Sequence, residues 1–178
     1  VRFGYVGGNT DIKGYHLIKE AFSRLSADEA SLTIVDNTLN LGFRSFSDND
    51  LKGLNNFKVV PAFAQDDIDD FYNSIDVLLS PTQAKESFGL TVREALIRNV
   101  WVITSDAGGA PEDIIFGENG IVIPFNNNAD DLYKAIKNTL IHFSSLNPDL
   151  DIQLPHSHIR SFDEQYKELE TIYNEILS

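Results

Sequence analysis

The stretch "DVLLSPTQAKESFGLTVREALIRNVWVITS", residues 76–105, contains in 30 residues a short apolar run, a polar loop, a helical pattern and a second apolar run. The first run, "DVLLS" (76–80), ends at Pro81-Thr82. The periodic part begins around Phe88 to Leu90 and continues through "TVREALIRN" (91–99). The second run is "WVITS" (101–105). Both runs are continuous rather than alternating, as strands buried on both faces of a parallel sheet read. The same alternation extends along the chain. Further β-rich runs are "RFGYV" (2–6), "SLTIV" (31–35), "FKVV" (57–60) and "GIVIP" (120–124). Helical spacing recurs in "GYHLIKEAFSRL" (14–25), "DDIDDFYNSI" (66–75) and "ADDLYKAIKNTL" (129–140). Together these predict an α/β fold: a doubly wound, mainly parallel sheet of about six strands with helices on both faces.

Two segments break the pattern. Residues 36–56 are rich in Asn, Asp, Ser and Gly and read as a long connection with at most one short helix. Residues 144–160 carry two prolines and read as a second irregular link. The tail 161–177 opens with Ser161 and Glu164, a capping box. Phe162, Tyr166, Leu169, Ile172, Tyr173 and Ile176 then form an apolar stripe, which predicts a closing helix.

The chain has 178 residues, 42% hydrophobic, enough for one core and one domain. Its formal net charge is −13, from 27 acidic against 14 basic residues, which argues against nucleic acid or an anionic membrane as partner. The absence of cysteine excludes disulfides and thiolate metal sites and fits a cytosolic setting. No apolar run reaches the roughly 18 residues of a membrane span, and no signal-peptide pattern appears. Val1 already lies inside an apolar run, so the chain reads as a piece of something longer.

The first strand runs into "VGGNTDIKG" (6–14). Gly7 and Gly8 permit positive φ and close approach to a ligand, at the sheet edge where doubly wound folds bind them. Lys13 precedes a helix, within reach of a phosphate, and reads equally as a solvated turn residue. A dinucleotide fingerprint fails at its second glycine, although Asp36 stands where a ribose-binding acid would follow the second strand. A Walker A loop fails because Gly14, not Ser or Thr, follows Lys13.

Glu86 falls in the loop at the crevice mouth and Glu94 one turn into the helix. The free N–H groups of Ser87 to Leu90 at the helix start favour an anion. Each carboxylate can accept hydrogen bonds from a vicinal diol, so the pair could hold two polyols flanking a diphosphate. The plainer alternatives are a loop charge at Glu86 and an exposed Glu94 paired with Arg98 at i, i+4.

The segments "VGGNTDIKGYHLIKEAF", "IDVLLSPTQAKESFGLTVREAL" and "VITSDAGGAPEDIIFGENGIVIP", in this order and at these separations, resemble the C-terminal, donor-binding domain of family 4 retaining glycosyltransferases of the GT-B fold. The resemblance covers about residues 1–140. It implies a nucleotide-diphosphate sugar as donor substrate, with Glu86 on donor-sugar hydroxyls and Glu94 on the ribose diol. By the same resemblance the backbone of Phe88, Gly89 and Leu90 receives the diphosphate or sugar, and Lys13 neutralises the diphosphate. Gly108 and Gly109, in the "DAGGAPE" turn before a short helix, are backbone-approach positions; Glu112 is a donor contact or a helix acid. Phe63 is a base-site wall or plain core. The sequence departs from the family in carrying Gly8 where an arginine is common, and Asn99 and Trp101 where a glycine and a proline are common. Asn99 suits a left-handed helix cap.

The implied reaction is transfer of a hexosyl unit with retention, in polysaccharide biosynthesis, to a glycan or lipid-linked acceptor bound by an N-terminal domain absent here. The full-length protein would be cytoplasmic, peripheral to the inner face of the membrane, with no membrane contact from this domain. No metal or other cofactor is expected, since the D-x-D at "DLD" (149–151) lies in the irregular link and His16, His142, His156 and His158 lack ligand spacing. The competing readings are a nucleotide-sugar epimerase of the same fold and a non-catalytic nucleotide-binding module.

Overall fold

The computed structural model describes residues 1–146, 153–155 and 159–177. Six strands form one sheet: β1 (Arg2–Val6), β2 (Ser31–Asp36), β3 (Phe57–Pro61), β4 (Val77–Ser80), β5 (Trp101–Ser105) and β6 (Gly120–Ile123). Their order is β3-β2-β1-β4-β5-β6, and every neighbouring pair is parallel. The expected doubly wound α/β fold is therefore what this sequence forms. The chain moves outward from β1 to β3, then returns to β4 on the other side of β1. The loops after β1 and β4 leave the sheet at that reversal, where open α/β sheets form their ligand crevice.

The strands read as continuous apolar runs because both faces are covered. On one face Phe3, Tyr5, Leu32, Ile34, Val77, Leu79, Trp101 and Ile103 meet α1 (Tyr15–Phe22) and, after three intervening helices, α5 (Ala129–Ser145). The intervening helices are α2 (Asp48–Leu51), α3 (Ile68–Asn73) and α4 (Leu90–Leu96). On the other face Val35, Leu78 and Val102 meet α3 and α4 through Ile68, Phe71, Tyr72, Val92, Ala95 and Leu96.

Boundaries moved for local reasons. The first helix ends at Phe22, where Ser23 turns its hydroxyl onto the Glu20 carbonyl (2.8 Å), although Leu25 beyond it stays buried. The α5 helix runs to Ser145, past residue 140, because His142 lies tilted against the buried Trp101 at 4.6 Å and Phe143 meets it edge-on at 6.2 Å. Residues 36–56 hold one short helix, α2, and a 3-10 turn at Leu39–Leu41. Asn99 has φ 63, the one non-glycine residue with positive φ among those described, so it does cap α4 in the left-handed region.

The final helix, α6 (Phe162–Leu177), opens on the expected capping box: Ser161 N–H donates to Glu164 at 2.7 Å and Glu164 N–H to Ser161 Oγ at 3.3 Å. Its apolar stripe, however, is exposed throughout. The "DLD" segment, His156 and His158 lie outside the described residues. No described helix is long and apolar enough to cross a membrane.

Candidate active site

The glycine turn after β1 is built around Tyr5. A Cβ on Gly7 would sit 2.4 Å from the Tyr5 hydroxyl and 2.8 Å from Lys13 Cβ, so no side chain fits there. That hydroxyl donates to the Gly8 carbonyl at 2.9 Å. Burial and then the neighbouring Tyr15 push the Tyr5 phenol up, which keeps it a donor. Gly8 has φ 65, and a Cβ there would meet nothing within 4 Å, so it faces open space. Gly14 has φ 76, and its missing Cβ would lie 2.0 Å from the Pro81 carbonyl oxygen. This contact presses the start of α1 onto the end of β4. Two hydrogen bonds complete the seam: the Ile12 carbonyl accepts from Gln83 N–H (2.7 Å) and Thr82 Oγ1 (3.1 Å).

The seam brings Lys13 to Glu86. Lys13 Nζ lies 2.6 Å from Glu86 Oε1, with the lysine side chain 44% and the glutamate 20% exposed. Two residues 73 positions apart in sequence thus form one half-buried ion pair at the sheet's reversal point.

A second seam joins residues 86–89 to 107–110. Glu86 N–H donates to the Ala107 carbonyl at 3.1 Å, and Gly109 N–H to the Glu86 carbonyl at 2.7 Å. Cβ atoms on Gly108 and Gly109 would fall 2.3 Å from the Glu86 oxygen and 2.5 Å from the Ser87 oxygen. One on Gly89 (φ 67) would fall 2.6 Å from Ala110 Cα. The backbone that Gly108 and Gly109 admit is therefore that of Glu86 to Phe88. Gly89 is the N-cap of α4 and no side chain caps it, so the amides of Leu90 and Thr91 lack a side-chain cap, while Val92 N–H turns onto the Gly89 carbonyl at 3.1 Å.

Arg93 clamps this region from behind. Its guanidinium stacks 3.9 Å from the Phe88 ring centroid, lies 2.7 Å from Asp113 and reaches Glu112 at 3.2 Å. Glu112 is thus an ion-pair partner of Arg93. The short helix expected after the glycine loop is instead a turn closed by Ile114 N–H onto the Pro111 carbonyl (3.0 Å). Phe88 and Leu90 are exposed.

Glu94 is held separately, toward α3. Its Oε2 accepts from the hydroxyl of the fully buried Tyr72 at 3.0 Å. The i, i+4 pairing with Arg98 does not form: Arg98 Nε goes to Asp69 (2.6 Å) and Nη1 to the Glu94 backbone carbonyl (3.1 Å). Phe63 is half-buried and stacks on Phe71 at 4.8 Å, so it belongs to the core cluster of that face.

Asp36 is not available to a ribose. It is fully buried and accepts from Thr38 N–H (3.0 Å) and Oγ1 (2.7 Å) and from Ser45 N–H (2.9 Å) and Oγ (2.8 Å). Burial alone would push its carboxyl up, but these four donors outweigh it and hold the carboxyl below its ordinary range. It braces the 37–46 loop. His16 contacts Asn127 and Asp11, and no described group of three or more His, Asp or Glu is arranged to hold a metal.

A sequence profile described as glycosyl transferases group 1 matches residues 2–142, most of the chain. The chain belongs to that family. The D-inositol 3-phosphate glycosyltransferase of Streptomyces bingchenggensis (strain BCW-1) is 39% identical over 70 residues, which are 39% of this chain and 15% of that protein. The crystal structure of a glycosyltransferase from Rickettsia africae ESF-5 covers 99% of this chain and 48% of its own, with TM-score 0.79 and 23% identity. Anabaena Alr3699/HepE in complex with UDP-glucose covers 80% and 39%, with TM-score 0.64 and 22% identity. At these identities the two structures speak for the fold. The chain spans less than half the length of each of the three proteins.

Within this family frame, Lys13, Glu86, Gly108 and Gly109 meet in one cluster, while Glu94 stands in a second. Four residues that position the clusters went unread in the sequence: Tyr5, Thr82, Tyr72 and Arg93. Tyr5 and Tyr72 carried a signal, since a tyrosine within an apolar strand or helix face needs a partner for its hydroxyl. Thr82 and Arg93 carried none for the Ile12 carbonyl and for Asp113, which are distant in sequence.

Proposed function

We propose that the chain is the C-terminal, donor-binding domain of a family 4 retaining glycosyltransferase of the GT-B type, taking a hexosyl unit from a nucleoside-diphosphate sugar. The observation that carries this reading is the Lys13–Glu86 pair at the reversal point of the sheet, beside the uncapped start of α4. An ammonium there opposes the charge that develops on a leaving diphosphate, and first-turn amides add fixed donors without reorganising. A carboxylate beside it accepts hydrogen bonds from sugar hydroxyls. Glu94 accepts from the ribose diol.

In this reading fixed protein charge replaces a bound cation, and the product diphosphate leaves without metal. Transfer runs with retention through an oxocarbenium-like state, to a glycan or lipid-linked acceptor held by another part of a longer cytoplasmic protein. The UDP-glucose bound by the Anabaena relative makes UDP the first probe to use.

Calorimetric titration of this chain with UDP, GDP, ADP and CDP and their glucose conjugates, in EDTA, tests the reading. We expect one base series to bind with micromolar to millimolar affinity, roughly 4–8 kcal/mol. Binding that appears only after magnesium or manganese is added overturns the cation-free assignment. No binding in any series, with or without metal, overturns the donor-site assignment itself.

A further inference from the structure

The carboxylate of Glu94 sits on a seven-residue helix, and a glutamate side chain on such a helix has three free torsions. Freezing them costs side-chain conformational entropy. A ligand that had to do so on arrival would bind correspondingly less tightly. In this fold the freezing is done beforehand. Tyr72, wholly buried at the end of α3, points its hydroxyl at Glu94 Oε2 (3.0 Å) and lies 3.2 Å from the Thr91 carbonyl, one turn earlier on the same helix. Arg98, one turn further on, could have drawn the carboxylate away, and it is turned elsewhere. Its guanidinium is held by Asp69 and the Glu94 backbone, with its carbon 5.4 Å from the Tyr72 ring centroid.

We propose that Tyr72 is a positioning residue for nucleotide binding: its hydroxyl fixes the rotamer of Glu94, so that the carboxylate meets the ribose diol preformed. The proposal rests on the assignment of Glu94 to the ribose. One hydroxyl proton occupies one of the roughly four acceptor directions of the carboxylate, which leaves enough for both hydroxyls of a diol. The phenol's own ionisation supports the role. Burial first, and then the neighbouring Glu94, push it up, so Tyr72 stays protonated as a donor.

Tyr72→Phe removes one oxygen and leaves the ring in its core position, and a thermal melt checks that the variant stays folded. The probe is whichever of UDP, GDP, ADP and CDP binds the wild type most tightly, compared with its 2′,3′-dideoxy form. Tyr72→Phe should weaken the ribonucleotide by about threefold to tenfold, the range of one ordinary intramolecular hydrogen bond. It should leave the dideoxy nucleotide within about twofold of wild type, since that ligand has no diol for Glu94 to meet. In a Glu94→Ala background the same substitution should change nothing further. Equal losses for both nucleotides would mark Tyr72 as structural and overturn the proposal. So would unchanged binding of the ribonucleotide, or a loss that persists without Glu94. If Glu94→Ala itself binds the ribonucleotide as wild type does, the ribose assignment has failed and the proposal falls with it. That outcome is distinct from a failure of Tyr72 alone.

Discussion

Replacing Glu86 with glutamine should tighten binding of a bare nucleoside diphosphate while weakening binding of the corresponding nucleotide sugar. Lys13 is committed to Glu86 at 2.6 Å, so an arriving diphosphate competes with a carboxylate for the same ammonium. With the lysine nearly half exposed, that pair is worth roughly 0.2–1 kcal/mol. A phosphate charge about 6 Å from the carboxylate adds a repulsion near 0.7 kcal/mol even at the dielectric of water. Glu86→Gln removes both, so the diphosphate should gain about 0.9–1.7 kcal/mol, some five- to eighteenfold in affinity. The sugar-bearing ligand gains the same and loses about 1.5–3 kcal/mol of charge-assisted hydrogen bonds to its hydroxyls. The ratio of the two affinities should therefore fall by about ten- to 150-fold. Lys13→Ala leaves Glu86 unopposed beside the phosphates and should be the worst single variant for diphosphate binding. Adding Glu86→Gln to it should restore part of the loss. Calorimetry at low and high salt reads all four proteins, and the diphosphate gain should shrink as salt rises. A Glu86→Gln protein that binds the diphosphate more weakly than wild type would refute the competition.

Three further outcomes follow from the loops and their supports. Gly8→Ala should cost only the left-handed backbone term of about 1–2 kcal/mol, whereas Gly14→Ala should cost markedly more, because its Cβ falls 2.0 Å from the Pro81 oxygen; urea midpoints compare them. Gly109→Ala, with its Cβ 2.5 Å from a backbone oxygen, should lose about 1–3 kcal/mol by the same assay and reduce nucleotide affinity with it. Asp36→Asn should destabilise the fold by about 1.5–3 kcal/mol at neutral pH, since a carboxylate accepting four hydrogen bonds becomes a group that must also donate. Because the folded-state carboxyl is held low, its contribution is full above the ordinary value of 3.8 and lost as pH falls from there through the depressed value. The difference between wild type and variant in urea melts should accordingly narrow on the acid side of that value.

The layering of the fold was legible because strands buried on both faces leave continuous apolar runs, and all six runs became strands within a residue or so of their read ends. The site was legible as residue types in motifs, not as contacts. The resemblance puts Lys13 and Glu86 on two different parts of a ligand, and nothing local to either says that they touch. That contact depends on Gly14 meeting Pro81 and on the Ile12 carbonyl, a seam across the sheet that no periodicity encodes. Asp36 was ambiguous for the opposite reason. An acid at the end of the second strand has the same appearance in sequence whether it faces a ligand or is consumed by Thr38 and Ser45. The i, i+4 spacing of Glu94 and Arg98 permitted a pair that Asp69 and Tyr72, both on the neighbouring helix region, divert.

The interleaving of residues 86–89 with 107–110 bears on how such a domain can diverge. Three glycines in two segments face one another's backbones at distances where even a methyl group has no room. An insertion, or a single side chain, in either segment would force the other to move. Variation in donor preference must then come from outward-facing positions such as Phe88 and Leu90, or from exchanging both segments together. A chimera that takes one segment from each of two parents should fold poorly even when each parent is stable, whereas one that takes both from the same parent should carry that parent's crevice intact.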